Sequence, residues 1–569
     1  MKENLAGIED YTRIGSLLQP EQIVKYGELT LRENQIAYAD PGFFRLFDFE
    51  LLKGDKKTSL SMPGQVVITE RIARKYFKEE DPIGKILIFT GPYYKISCEV
   101  TGVMEEMPSN SHIHYNFLIS YTSLPKFIHE YWYKHEAYTY VLLDSPEREA
   151  EIEREFPVMA EKYKTEEALK NKTWGVDLVP LADIHLTPQL GYEMETKGNR
   201  SAMIALVFAA IAILAIAWIN YINLTVARSM ERAREVGVRR VVGAFRKQLI
   251  HQFLFEALVM NLIAFILAVG LIELILPYFN QLVGRTVTFS VWLMDYWWVL
   301  LVLVFIAGIF LSGYYPALAL LNRKPITLLK GKFLHSKSGE RTRQVLVIIQ
   351  YTASMILLCG TLIVFAQLNF MRSQSLGVKT DQTLVIKFPG RTDGLNVKLE
   401  AMKKAIMRLP LVHSVAASGA VPGEEVATFL SNRRTNDALK QNRLYEMLAC
   451  DPDYIEAYGL QVIAGRGFSE EYGDDVDKLV INETAVRNLG FASNDEAIGE
   501  LVTVECTDAP MQIIGVVKDY HQQALSKNYT PIMLIHKDKI DWLPQRYILI
   551  NSSGTQYHTL AKRGSHSTT

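Results

Sequence analysis

The sequence predicts an α-helical membrane bundle joined to two mixed α/β domains outside the cytoplasm. Three observations predict it: charge vanishes over four long stretches, basic residues crowd two of the connections between them, and the two flanking regions repeat the same blocks. At 569 residues, 49% apolar and 22% charged, the chain is too long for one core and too apolar for disorder. A mean hydropathy of +0.05 fits a mixture of water-soluble domains and membrane spans. Lys and Arg number 61 against 62 Asp and Glu, so no global charge draws the chain to nucleic acid.

The spans come first. Ser201–Ala227, Tyr296–Leu321 and Gln344–Phe370 hold no charged residue, and Phe253–Leu276 holds only Glu256 and Glu273. Each exceeds the roughly 20 apolar residues that cross about 30 Å of hydrocarbon. Between the first two lie Arg228, Arg232, Arg234, Arg239, Arg240, Arg246 and Lys247. Between the last two lie Arg323, Lys324, Lys330, Lys332, Lys337, Arg341 and Arg343, whereas Pro277–Asp295 has only Arg285 as a basic residue. Basic connections stay on the cytoplasmic side, so residues 1–200 and 371–569 are expected outside it. Trp292, Trp297 and Trp298 suit an interfacial aromatic belt.

The flanks match block by block. ADPGFFRLFDFELLKGD (Ala39–Asp55) parallels CDPDYIEAYGLQVIAGR (Cys450–Arg466), and VVITERIARKYF (Val66–Phe77) parallels LVINETAVRNLGF (Leu479–Phe491). DPIGK (Asp81–Lys85) parallels EAIGE (Glu496–Glu500), and EVTGVMEEMP (Glu99–Pro108) parallels QIIGVVKDYH (Gln512–His521). Val66–Thr69 and Leu479–Ile481 read as buried strands leading into helices at Glu70 and Glu483, with Thr69 or Asn482 as caps. Ile86–Phe89, Glu99–Val103 and Gln512–Val517 read as strands, and Gly84 and Gly499 suit turns. Caps and turns account for these residues without catalysis.

Chemistry is sparse elsewhere. No G-x-x-x-x-G-K-[ST], HExxH or GxSxG occurs, so no catalytic residue is expected. Cys98, Cys359, Cys450 and Cys506 lack ligand spacing; pairing of Cys450 with Cys506 stays open. His112 and His114 share a face if extended, but no third ligand is near in sequence, so packing is expected rather than metal. Tyr131, Trp132, Tyr133 and Tyr138 read as core or interface.

The segment NYINLTVARSMERAREVGVRRVVGAFRKQLIHQFLFEALV (Asn220–Val259) resembles the FtsX-domain signature of MacB/FtsX-type ABC transporter permeases. The matching positions are Arg234, Glu235, Gly237, Arg239 and Gly243 in a basic cytoplasmic helix, then Gln252, Phe253 and Glu256 where the chain re-enters the membrane. On composition, Gly237 and Gly243 interrupt the helix, Glu235 and Arg239 can pair across one turn, and Val236, Val238, Val241 and Val242 leave an apolar strip. The resemblance assigns ATPase coupling to Arg234, Glu235, Gly237, Arg239, Arg240 and Gly243. It makes the flanks MacB-like periplasmic core domains and the chain a non-enzymatic permease of the bacterial inner membrane.

The expected layout is a first core domain at 1–200 and an FtsX-like permease domain at 201–330. Within the latter are a span at 201–227, a coupling helix at 228–252, a span at 253–276, an external loop at 277–295 and a span at 296–321. A basic linker at 322–343, a span at 344–370 and a truncated second core domain at 371–569 follow. The resemblance implies a separate dimeric ABC ATPase that binds ATP and Mg²⁺, with a second permease copy, a periplasmic adaptor or an outer-membrane channel as further partners, and membrane lipid around the spans. Export of peptides or drugs, or lipoprotein release, is the expected function; a regulatory scaffold for a cell-wall hydrolase is the alternative. Because duplicated permeases of this type have eight spans, the chain is expected to be part of a longer one.

Topology is testable directly. In the full-length protein in intact spheroplasts, Asn442→Cys should react with a membrane-impermeant thiol reagent and Ser336→Cys should not; the opposite pattern reverses the orientation.

Overall fold

The computed structural model describes residues 4–15, 21–91, 95–108, 110–124, 137–163, 173–187, 194, 198–284, 287–288, 297–314, 317–318, 321, 337–387, 395–410, 412–426, 428–437, 442–472, 474–525, 527–540, 543 and 545–552. Side chains at 226–234, 297, 337–340, 342–343, 395–396 and 470 lie outside that description, as do the expected aromatic cluster at Tyr131–Tyr133, Trp292 and the linker at 322–336. The chain forms two compact units, Met1–Lys197 with Gln374–Thr569, and Gly198–Ser373.

Residues before the membrane helices form β1 (Ile8–Gly15), β2 (Glu21–Tyr26), β3 (Leu29–Asn34), β4 (Ile36–Ala39), α1 (Phe43–Leu46), β5 (Leu51–Lys53), β6 (Gln65–Thr69), α2 (Glu70–Phe77), β7 (Ile86–Thr90), β8 (Lys95–Met104), β9 (Phe117–Ser120), β10 (Tyr138–Leu143) and α3 (Arg148–Tyr163). The strands pair in the order β10-β1-β4-β9-β6-β8-β7-β2-β3, with β5 on β8. Alternation decides the faces. Ile36, Tyr38, Val66, Ile68, Phe117 and Ile119 enter one buried cluster with Ile72 and Tyr76 of α2. Ala37, Ala39, Val67 and Leu118 enter another with Phe43 and Phe44 of α1. β3 and β4 are one strand bent at Gln35, which has φ 58°. The Gln35 carbonyl accepts from the Asn116 backbone at 2.8 Å, and its side chain accepts from Asn116 Nδ2 at 2.8 Å.

The membrane unit holds α4 (Arg200–Val241), α5 (Arg246–Val283), α6 (Trp297–Ile309), a π-turn at Phe310–Tyr314, and α7 (Lys337–Ser373). Three stretches are long and apolar enough to cross a membrane: Arg200–Thr225, Arg246–Val283 and Gln344–Ser373. The expected span at 296–321 is shorter among the described residues, Trp298–Tyr314, and its last turn is π-wound. Other boundaries shift as well. No separate coupling helix occupies 228–252, because α4 runs unbroken through Ala227 and Gly237. Arg and Glu dominate the positions around Val236–Gly237–Val238, and one interior glycine costs only about 1 kcal/mol. Residues 246–252 begin α5, which continues past Pro277 to end at Gly284, φ 69°. α7 opens at Lys337, inside the expected linker.

The last domain contains β11 (Thr383–Lys387), α8 (Leu395–Met407), β12 (Val412–Ser418), β13 (Phe429–Arg434), β14 (Arg443–Cys450), α9 (Tyr454–Ala457), β15 (Val462–Gly465), β16 (Lys478–Asn482), α10 (Glu483–Leu489), α11 (Asn494–Ala497), β17 (Leu501–Thr503), β18 (Met511–Val517), β19 (Ile532–His536) and β20 (Tyr547–Ser552). The order is β11-β20-β12-β14-β13-β17-β18-β16-β19, and β14 also pairs β19, closing a circuit. Alternation again sorts Tyr445, Met447, Ala449, Leu479, Ile481 and Met533 to one face and Leu448, Cys450, Val480 and Leu534 to the other.

Corresponding residues do corresponding work. Asp40 Oδ2 accepts from the Arg13 backbone at 3.0 Å, and Asp451 Oδ2 from that of Ala417 at 2.9 Å, each tying a strand to its neighbour. The Asp40 and Asp451 carbonyls then accept from Phe43 and Tyr454, opening a helical turn. Gly84 (φ 80°) and Gly499 (φ 89°) occupy matching turns, donating to Val100 and Ile513 carbonyls at 2.8 Å. The parallel pairs β6–β8 and β16–β18 both shift register, between Val66 and Val67 and between Leu479 and Val480. One cap differs: Asn482 accepts from Ala485 N at 3.0 Å, whereas Thr69 makes no side-chain cap bond. Cys450 is a fully buried thiol whose burial pushes its pKa well up. Lys387 pairs with Glu21 at 3.4 Å, joining the two domains.

Gln35 and Glu446 hold the same place, five residues ahead of the paired aspartates, but one is neutral and the other acidic. Glu446 is 1% exposed, and Oε1 accepts from Gln523 Nε2 at 2.7 Å. Burial raises its pKa. A carboxyl whose folded pKa lies above its unfolded one contributes stability below the ordinary carboxylate range and loses it as pH rises through the folded pKa. Glu446→Gln should therefore unfold at higher urea than the parent chain at pH 7.5 in pulse proteolysis of the detergent-solubilised protein. The two should converge near pH 4; a pH-independent difference contradicts the burial argument.

Candidate functional site

α4 is a single helix of 42 residues, about 63 Å at 1.5 Å per residue, roughly twice the hydrocarbon thickness. It starts at Asn199, whose Oδ1 accepts from Ser201 and Ala202 backbone N–H groups at 2.9 and 3.2 Å. At its far end the Val242 N–H still donates to Val238, and then Gly243 takes φ 105°, a conformation that side chains with a Cβ avoid. Phe245 begins the return: its N–H donates to Gln248 Oε1 at 3.0 Å, and α5 opens at Arg246.

The turn has a packed underside and a bare tip. Val236, Leu249, Phe253, Ala317 and Leu321 form a small buried cluster. Val238 and Val241 are exposed, Val242 is 82% exposed and Phe245 is 73% exposed. A chain of polar contacts runs down the side. Glu235 pairs with Arg239 at 2.7 Å, Arg239 Nη1 donates to Gln252 Oε1 at 2.9 Å, and Gln252 Nε2 reaches Glu256 Oε1 at 3.4 Å. Arg240 Nη1 donates to the Leu321 carbonyl at 3.1 Å.

The residues singled out in the sequence thus fall into groups. Glu235, Arg239, Gln252 and Glu256 come together across the turn, Phe253 lies beneath it, and Gly243 ends α4. Gly237 is plain helix, and the Arg234 side chain lies outside the described residues. The valine strip divides, Val236 facing in and the others out. Phe245 was missed; its signal is an aromatic beside Gly243 in a stretch otherwise rich in Arg and Lys. In the first β-rich domain, His112 lies outside the strands, and its Nε2 is 2.9 Å from Oη of Tyr140 on β10. Among the described residues no group of three or more His, Cys, Asp or Glu side chains is placed to hold a metal.

A model of the MacB-like periplasmic core domain matches residues 1–157 and 330–564, and one of the FtsX-like permease C-terminal region matches 207–325. The chain belongs to the MacB/FtsX-type permease family. The turn at Gly243 lies inside the FtsX-like match. Macrolide export ATP-binding/permease protein MacB of Neisseria meningitidis is 23% identical over 241 residues, 42% of this chain and 33% of the relative. That of Campylobacter jejuni is 32% identical over 136 residues, 24% of this chain and 20% of the relative. The chain therefore spans about a third or less of the length of these relatives. Among solved structures, a domain of a putative permease protein from Porphyromonas gingivalis is 22% identical, covering 32% of this chain and 78% of that one at a TM-score of 0.26. The periplasmic region of MacB from Actinobacillus actinomycetemcomitans is 17% identical, covering 34% and 85% at 0.23. The family models carry the assignment; these scores add nothing to it.

Proposed function

We propose that this permease is the membrane subunit of an ABC-type export or mechanotransmission complex, in which the Gly243 turn receives the motion of a separate ATPase. The observation that carries this is the bare apolar tip, Val242 and Phe245, held on a braced turn at the end of a helix longer than a bilayer. Exposed apolar side chains flanked by polar ones mark contact surfaces. In this reading ATP and Mg²⁺ are bound by the ATPase that docks on the turn. The basic residues of the turn support a cytoplasmic side for it and, with it, a periplasmic side for the two core domains. Those domains arose by duplication, which the shared strand pairings and aspartate ties support. Substrates are pushed onward or released by the outer domains, and macrolide-like drugs, peptides and lipoproteins are the candidates to assay.

The geometry also changes which residues matter for docking. Arg239 and Arg240 spend their hydrogen bonds inside the turn, so they shape the docking element, while Val242 and Phe245 touch the ATPase. Val242→Asp and Phe245→Asp should each cut co-purification of the ATPase at least about tenfold, since desolvating a charge at an apolar contact costs over 1.4 kcal/mol. Reversing Arg239 and Arg240 together should leave the permease inserted but reduce stimulated ATPase activity through a loosened turn. Unchanged ATPase binding in both aspartate variants removes the tip as the docking surface.

A further inference from the structure

We infer that Asn261 and Ser312 form a polar joint inside the membrane unit, with Asn261 the positioning residue that sets the register of the third membrane helix beneath the Gly243 turn. This deepens the coupling assignment and rests on it for its functional meaning, though not for its geometry.

The π-turn at Phe310–Tyr314 sits between α6 and helical residues 317–318 and 321. Widening a helix by one residue per turn frees carbonyls of the preceding turn, and hydrocarbon offers them no water. Ser312 answers that need. It is 3% exposed, and its Oγ donates to the Gly308 carbonyl and approaches that of Ile309 at 3.4 Å. Asn261 of α5 then holds Ser312: Nδ2 donates to Ser312 Oγ at 3.1 Å and to the Ala257 carbonyl at 2.8 Å. A side-chain amide within an apolar helix of 38 residues finds such partners only in protein.

Small residues bring the helices close enough for this. A Cβ on Gly313 would lie 2.9 Å from Ala257 Cβ and 3.2 Å from Leu254 Cα. A Cβ on Gly308 would lie 3.2 Å from Asn261 Oδ1 and 3.3 Å from Trp218 Nε1 of α4. Three helices therefore meet at one point. The consequence lies a few residues on, where Ala317 and Leu321 complete the cluster under the turn and the Leu321 carbonyl receives Arg240. Annealing the π-turn to regular α-helix would remove one residue from the widened turn and rotate everything beyond it by about 100°. Ala317 and Leu321 would leave Val236, Leu249 and Phe253. The Asn261–Ser312 bond keeps them there.

The test reads that register in the permease alone. Ala317→Cys, fully buried in the parent, is introduced into a full chain whose exposed Cys359 and Cys506 are serine. Its maleimide labelling rate in nanodiscs is then compared among variants. Asn261→Leu and Ser312→Ala should each raise the rate about tenfold, as expected for a local opening weakened by about 1.4 kcal/mol. The double variant should be no faster than either single one, because both remove the same bond. Gly308→Ala keeps every polar group but wedges the joint, so it also accelerates labelling and covers the case in which Asn261→Leu fails to fold. Thr361→Val removes a hydroxyl that bonds its own helix at Leu357, and should change nothing. Equal rates in Asn261→Leu, Ser312→Ala and the parent overturn the joint. Faster labelling with undiminished ATP-stimulated turnover in the reconstituted complex keeps the joint and overturns the coupling role of the turn above it.

Discussion

A helix twice as long as the membrane is thick is the constraint around which the rest is arranged. α4 has no break between its Asn199 cap and Gly243, so its ends cannot move independently. Rigidity along the axis comes from unbroken backbone hydrogen bonds, which a single Gly237 does not interrupt. The turn that closes α4 must therefore be stiff as well, and its stiffness comes from both sides: an apolar cluster below, and the Glu235–Arg239–Gln252–Glu256 contacts along the flank. The tip can then be bare without being slack.

The β-rich domains solve a different problem with related means. Their strands alternate so strictly that both faces of β4, β6, β14 and β16 are buried, which leaves few polar side chains inside. The paired aspartates among them are tied down. Asp40 and Asp451 each serve a neighbouring strand and their own helical turn, whereas Glu446 is a buried acid at a place where the first domain has an exposed Gln35. The two domains share strand pairings and differ there in both burial and charge.

How much of this was legible in the sequence depended on the range of the interactions. Short apolar runs placed β6 and β16, because burial on both faces is written locally in Val66–Thr69 and Leu479–Ile481; β7, β8 and β18 were placed by their own strand-like composition. Apolar runs placed α4, α5 and α7 for the same reason. Helix ends were misplaced where composition changes without a backbone signal: Arg and Glu after Ala227 suit helix as well as the apolar residues before them. The coupling motif was legible as a list, but not as a structure. That Arg239 turns to Gln252, or Arg240 to Leu321, depends on helices returning from elsewhere in the chain, and nothing near Arg239 in sequence encodes it. The π-turn at Phe310–Tyr314 was invisible, since Ser312 in an apolar run reads like any tolerated small polar residue.

The closed circuit of strands in the last domain bears on how such a chain reaches its native state. Two similar domains on one polypeptide invite exchange of strands, and open sheet edges invite pairing with other copies. In the last domain β14 meets β19, so the strands from β14 round to β19 form a closed circuit with no unpaired outer row. Among the described residues, β10, β3 and β11 end their sheet paths and keep a free side. β11 ends in Lys387, whose charge is engaged by Glu21 of the other domain. Mispairing of the circuit strands is thus confined to the interval before β14 meets β19, and a last domain that closes early protects itself from its sibling.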